Sequence, residues 1–342
     1  MKRILFLGLT LVGLTGAAVL AQALLPSQDT ISGGPKTSAD ASINAPSILN
    51  RPNAVDGPDD EAARTYTTSA DRFLMIDGAR VRVRVEGPLA GPVLILLHGF
   101  TYSLESFDAV AQELAREYRV IRYDLLGHGL TGADPKERYA PKERAAFIGE
   151  VMDVLGVERA TIVGNSLGGL AAWRFAAQSA GRVNALVLIA AAAFPYNGVT
   201  ETPAPIPDMM RLYLKTAPKP GIAASTALIW GDDSAIPPAT VDRLHAMLAR
   251  EGAGEAMLRS LEKFTLPAPE ADLAAITAPT LILWGESDLV VPMSQGKGLD
   301  SAIANSQLVT YPGVGHVPHE EAPAQVIRDI RAFLARIGID KS

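Results

Sequence analysis

Val81, Val83 and Val85 alternate with Arg80, Arg82 and Arg84. This two-residue period predicts a strand apolar on one face and wet on the other, suited to an antiparallel place in a sheet. Beyond it the apolar positions stop alternating. Val93–Leu97, Arg119–Tyr123, 160–163 and 186–189 are short apolar runs, the form strands take when helices cover both faces of a parallel sheet. Helical segments over 104–117, 141–155 and 166–179 separate them, and the alternation predicts an α/β fold with a mostly parallel, doubly wound sheet. After Ala193 the rhythm changes: residues 195–272 hold short helical stretches and many prolines without a strand pattern, which predicts an inserted helical cap. Strands resume at 280–284 and 307–311, and a closing helix is expected over about 322–337. The expected core is therefore residues 70–194 and 273–342, with the cap at 195–272.

The N-terminus follows different rules. Lys2 and Arg3 precede an apolar run from Ile4 to Leu25, and Ala21-Gln22-Ala23 has the small-x-small form of a signal-peptidase site. Residues 1–25 are expected to act as a signal peptide for export to the periplasm or beyond. About 20 apolar residues also suffice to span a bilayer, so the same segment is alternatively an uncleaved membrane anchor. Residues 26–69 are rich in Pro, Asn, Asp, Ser and Gly and are expected to form a flexible, solvated linker.

Composition narrows the chemistry. With 342 residues, 48% hydrophobic and 20% charged, the chain can bury a full enzyme core. The net charge of -6 and the scattered Lys and Arg argue against a nucleic-acid partner. Cysteine is absent, which excludes thiol nucleophiles, Cys-ligated zinc, disulfides and a lipidated N-terminal cysteine.

Gly164-Asn165-Ser166-Leu167-Gly168 lies between an expected strand and an expected helix. A sharp turn there would hold Ser166 above the sheet, with glycines allowing the chain to double back. Ordinary helix N-capping is the competing role for Ser166. The helix N-terminus would offer the Leu167 N–H to an anion. Of five histidines, His316 follows a strand in the small-residue loop Gly313-Val314-Gly315-His316, where a base reaches the carboxyl ends of the strands. His319 is its local competitor, expected at a solvated helix end, and His245 belongs to the cap. A carboxylate must hold the base in one tautomer; Asp288 and Glu286 share the loop after the strand 280–284.

The turn at Ser166 and its surroundings resemble the α/β-hydrolase superfamily from about Arg72 to Ile337. The resemblance implies a catalytic triad of Ser166, Asp288 and His316 in that order along the chain, favouring Asp288 over Glu286 and His316 over His319. It matches Leu97-His98-Gly99-Phe100 to the family's second oxyanion donor, the Phe100 backbone N–H, and Asp124-Leu125-Leu126-Gly127-His128-Gly129 to a structural turn. His98 and His128 are then scaffold residues. No cofactor and no metal is implied, and the partner is a small-molecule substrate. Serine at the turn favours acyl chemistry over the Asp-based displacement of epoxide hydrolases and haloalkane dehalogenases.

Gly-Asn-Ser-Leu-Gly-Gly is also similar to the meta-cleavage-product hydrolases, which cleave carbon–carbon bonds beside ketones. Val317 stands where those enzymes carry an aromatic residue, and Gly99-Phe100-Thr101 replaces their glycine-rich loop. A carboxylesterase therefore ranks first, ahead of carbon–carbon hydrolysis and of a non-turnover ligand receptor on the same fold. Met209, Met210, Leu212, Tyr213 and Leu214 form an apolar cap cluster that would line a pocket or pack the cap. Arg211 and Arg243 would meet a substrate carboxylate or face water.

Overall fold

The computed structural model describes residues 53–339. The expected signal or anchor segment and most of the linker lie outside the described residues. Among the described residues no helix is long and apolar enough to cross a membrane.

Among the described residues nine strands form one sheet: β1 (Ala54–Val55), β2 (Asp71–Ile76), β3 (Ala79–Glu86), β4 (Val93–Leu97), β5 (Arg119–Tyr123), β6 (Ala160–Asn165), β7 (Val183–Ile189), β8 (Thr280–Gly285) and β9 (Ser306–Tyr311). Their spatial order is β1-β2-β3-β5-β4-β6-β7-β8-β9. The first three strands join antiparallel, and all pairings from β5 to β9 are parallel. The direction of winding reverses at β4, so the crevice for a ligand opens at the carboxyl ends of β4 and its neighbour β6.

The apolar runs fill both faces. In β4, Ile95 and Leu97 pack in one hydrophobic cluster, Leu94 and Leu96 in another across the sheet. The first cluster is closed by α3 (Pro141–Val154) and α4 (Leu167–Gln178), the second by α2 (Asp108–Leu114) and the last helix, α12 (Pro323–Arg336). Each fully buried aliphatic side chain contributes roughly 1.5–3 kcal/mol. Between β7 and β8 lie α5 (Asp208–Thr216), α6 (Lys219–Ile229), α7 (Pro238–Leu248), α8 (Ala253–Glu262) and the short α9 (Glu270–Ala274). The first four enclose a separate apolar cluster with Tyr102 and Val317 from the loops after β4 and β9. The chain then runs through α10 (Met293–Ala302) and, after β9, α11 (Pro318–Glu321).

Two expectations are corrected. The solvated linker of 26–69 is structured towards its end: β1 pairs with β2, and α1 (Glu61–Tyr66) is capped by Asp60, whose Oδ1 accepts the Ala63 N–H at 2.9 Å. Ala62 and Ala63 are buried with Phe73, Leu130 and Met247, so a few small apolar residues suffice to dock this segment. The arginines of β3 do not all face water either. Arg82 and Arg84 are buried, and Asp71 accepts from both guanidinium groups at 2.9–3.2 Å. Arg82 also meets Glu105 at 2.6 Å and Asp124 at 3.5 Å. Buried charges persist only when paired in this way; removing one partner typically costs about 3–5 kcal/mol. Through Asp124, which accepts the Leu104 N–H at 2.7 Å, the network fixes the loop that carries Phe100.

Candidate active site

β6 ends in a backbone conformation that most side chains avoid. Ser166 has φ 52° and ψ -112°, a strained geometry that persists where surrounding packing enforces it. Its N–H donates to Ile189 O at 2.9 Å, which anchors the turn to β7. A Cβ at Gly168 would strike the carbonyls of Leu97 and His98, and one at Gly164 would strike the Gly168 carbonyl, so glycine is needed for the chain to reverse this tightly. Ser166 occupies the N-cap position of α4, yet its side chain makes no capping hydrogen bond. The hydroxyl is therefore not engaged in the competing role.

His316 and Asp288 meet in the loops after β9 and β8. His316 Nδ1 donates to Asp288 Oδ2 at 2.8 Å, while Asp288 Oδ1 accepts the Val290 and Val291 N–H groups at 2.8 and 2.9 Å. Both carboxylate oxygens are thus held, and the proton on Nδ1 leaves Nε2 free to act as a base. Glu286 is exposed and accepts from Thr310 Oγ1 at 2.7 Å, away from the histidine. His319 is not solvated: it is fully buried, stacked on Phe107, with Ser106 Oγ 2.6 Å from Nε2. Burial lowers its pKa to about 3. His98 Nε2 accepts the Leu125 N–H at 3.0 Å and Nδ1 donates to Gly99 O at 2.8 Å, tying the end of β4 to the end of β5. His128 packs edge-on against Phe100.

Ser166 and His316 open into one cavity of about 200 Å³ at the carboxyl ends of β4 and β6. Phe100 and Leu167 line it as well, and among the described residues neither backbone N–H donates to a backbone carbonyl outside its own element or to a side chain. Two such donors beside a serine are suited to a developing oxyanion. From the cap, Met210, Tyr213, Leu214, Leu228 and Ile229 complete the wall; Leu212 points outward and is exposed. Among the described residues no Lys, Arg, Asp or Glu contributes to the lining. Arg211 pairs with Glu262 at 3.3 Å, and Arg243 is largely buried against Glu320 at 2.7 Å.

Asn165 had no assigned role in the sequence pattern. Its Nδ2 donates to His316 O and to Ile189 O, both at 3.1 Å, so the residue before the serine also holds the backbone of the histidine. In the sequence its signals are its place inside the Gly-x-Ser-x-Gly turn and in the Gly-Asn-Ser-Leu-Gly-Gly similarity.

A parallel sheet with a strained serine turn after β6, an acid after β8 and a histidine after β9 defines an α/β hydrolase. Residues 94–329 match the sequence profile of the alpha/beta hydrolase family, and the chain belongs to that family. The 2-hydroxy-6-oxononadienedioate/2-hydroxy-6-oxononatrienedioate hydrolase of Klebsiella pneumoniae is 27% identical over 278 residues, spanning 78% of this chain and 96% of that protein. A solved hydrolase from Pseudomonas aeruginosa is 29% identical, with a TM-score of 0.66 over 78% of this chain and 99% of the other. The meta-cleavage product hydrolase of Pseudomonas fluorescens is 25% identical, with a TM-score of 0.66 over 77% and 96% of the two chains.

Proposed function

We propose that the protein is a serine hydrolase that cleaves carboxylic esters of small, uncharged, hydrophobic substrates. In this reading Ser166 Oγ attacks the ester carbonyl as His316 Nε2 takes its proton. The Phe100 and Leu167 N–H groups receive the oxyanion, and Asp288 stabilises the imidazolium. The imidazolium protonates the departing alkoxide. Water, deprotonated by the same imidazole, then releases the acid and restores Ser166.

The observation that carries the choice of substrate is the uncharged lining of the cavity. The Klebsiella relative is named for a dioate, an anion of two carboxylates. Seating such a group without a cation would leave it desolvated and unpaired, at a cost of several kcal/mol. An uncharged ester with an apolar acyl or alcohol group meets no such penalty. Carbon–carbon hydrolysis is the second reading, favoured by the relatives and by the Gly-Asn-Ser-Leu-Gly-Gly turn.

Short and medium p-nitrophenyl esters compared with a carboxylate-bearing vinylogous diketone separate the two. The expected kcat/KM favours the esters by about 100-fold or more, the equivalent of an unpaired carboxylate worth roughly 3 kcal/mol. The opposite ranking would establish carbon–carbon cleavage, and binding without Ser166-dependent turnover would establish a receptor. The apolar run from Ile4 to Leu25 supports placing this activity outside the cytoplasm, cleaved from its leader or held at the membrane by it; the mass of the mature N-terminus distinguishes these.

A further inference from the structure

The loop that carries His316 is held from outside itself. Glu321, at the end of α11, accepts the Gly315 N–H on Oε2 at 2.8 Å and the Val317 N–H on Oε1 at 3.1 Å. The N–H groups of the residues on both sides of His316 therefore rest on one carboxylate. Oε2 also accepts the Gly231 N–H at 2.8 Å, just after cap helix α6. The remaining backbone groups of His316 are equally committed. Its N–H donates to Ile229 O of α6 at 2.7 Å, and its carbonyl accepts from Asn165. Gly231 and Gly315 lie so close that a Cβ on either would strike the backbone of the other segment.

We infer that Glu321 is a positioning residue for the base, clamping the His316 loop and the end of cap helix α6 into one unit. The inference deepens the serine-hydrolase reading and rests on it. Ionised carboxylate oxygens make stronger hydrogen bonds to N–H groups than neutral acceptors do, and three such bonds converge here. Ile229 gives the clamp its link to substrate. It lines the cavity while its carbonyl holds the His316 N–H, so the cap segment beside a bound acyl or alcohol group also sets the height of the base. Loss of the clamp should impair the chemical step more than binding, because a base displaced by about 1 Å costs on the order of 100-fold in rate.

The test is the rate of phosphonylation by an alkyl fluorophosphonate, measured to saturation in wild type, Glu321→Ala and Glu321→Gln. The maximal rate of Glu321→Ala should fall about 10- to 100-fold, with the half-saturating concentration within about twofold. Glu321→Gln fills the same volume with one acceptor oxygen and should recover part of the rate, which also keeps the test open if the alanine variant fails to fold. A folded glutamine variant with wild-type kinetics, or a loss confined to half-saturation in either variant, overturns the clamp. Absence of labelling in wild type would instead overturn the serine-hydrolase reading itself.

Discussion

Replacing Ser166 by alanine should abolish ester hydrolysis, lowering kcat by roughly 10⁴- to 10⁶-fold, as expected when the nucleophile of a cooperating serine–histidine–acid set is removed. The folded state should hardly change. Ser166 Oγ makes no capping hydrogen bond, so its loss leaves no broken helix cap, and alanine inherits the same strained backbone without a larger side chain. Unfolding free energies for the two proteins should agree within about 0.5 kcal/mol, the range of substitutions that remove no structural contact. The contrast matters because it separates chemistry from architecture. If Ser166→Ala kept ester turnover within tenfold of wild type, the nucleophile would lie elsewhere.

The second large effect is on stability in acid. His98, His128 and His319 are buried and neutral in the native protein: burial lowers His98 to about 4 and His319 to about 3, and holds His128 well below the ordinary histidine range. For His98 the hydrogen bonding agrees. His98 Nε2 accepts a backbone N–H, which an imidazolium cannot do. In the unfolded chain all three protonate near an ordinary pKa of about 6.5. Below that pH the unfolded state binds more protons than the native state, so stability falls as pH falls.

Each such group contributes about 1.4 kcal/mol per pH unit between its two pKa values. Asp124 acts in the opposite direction, since burial raises it to about 6 and lets the native state take up a proton early. With one histidine offset, the net loss should approach roughly 2–3 kcal/mol per pH unit below about pH 6, against a total stability of about 5–15 kcal/mol. Urea midpoints should therefore drop steeply between pH 7.5 and pH 5. Equal midpoints at the two values would mean that these histidines are protonated in the native protein.

Much of this architecture could be read from the chain because parallel strands covered on both faces leave uninterrupted apolar runs, as at Val93–Leu97 and 185–189. The serine turn was equally legible, since its glycines answer to a local steric demand. Interactions between distant segments were not. The alternation in β3 implied wet arginines because Asp71, Glu105 and Asp124, which neutralise Arg82, come from three other segments. His319 looked solvated beside two glutamates, although one of those, Glu320, turns to Arg243 of the cap. Glu321 gave no signal because its partners are backbone N–H groups, which carry no side-chain pattern. The small helix α1 was hidden in a polar stretch for a related reason: only Ala62 and Ala63 are buried.

The central claim is that Ser166 is the nucleophile activated by His316. It is tested most directly by treating the full chain with an alkyl fluorophosphonate and locating the adduct by peptide mass spectrometry. A single phosphonyl group on Ser166, absent from Ser166→Ala, is the expected result. An adduct on another residue, or none on a folded protein that still hydrolyses esters, would contradict it.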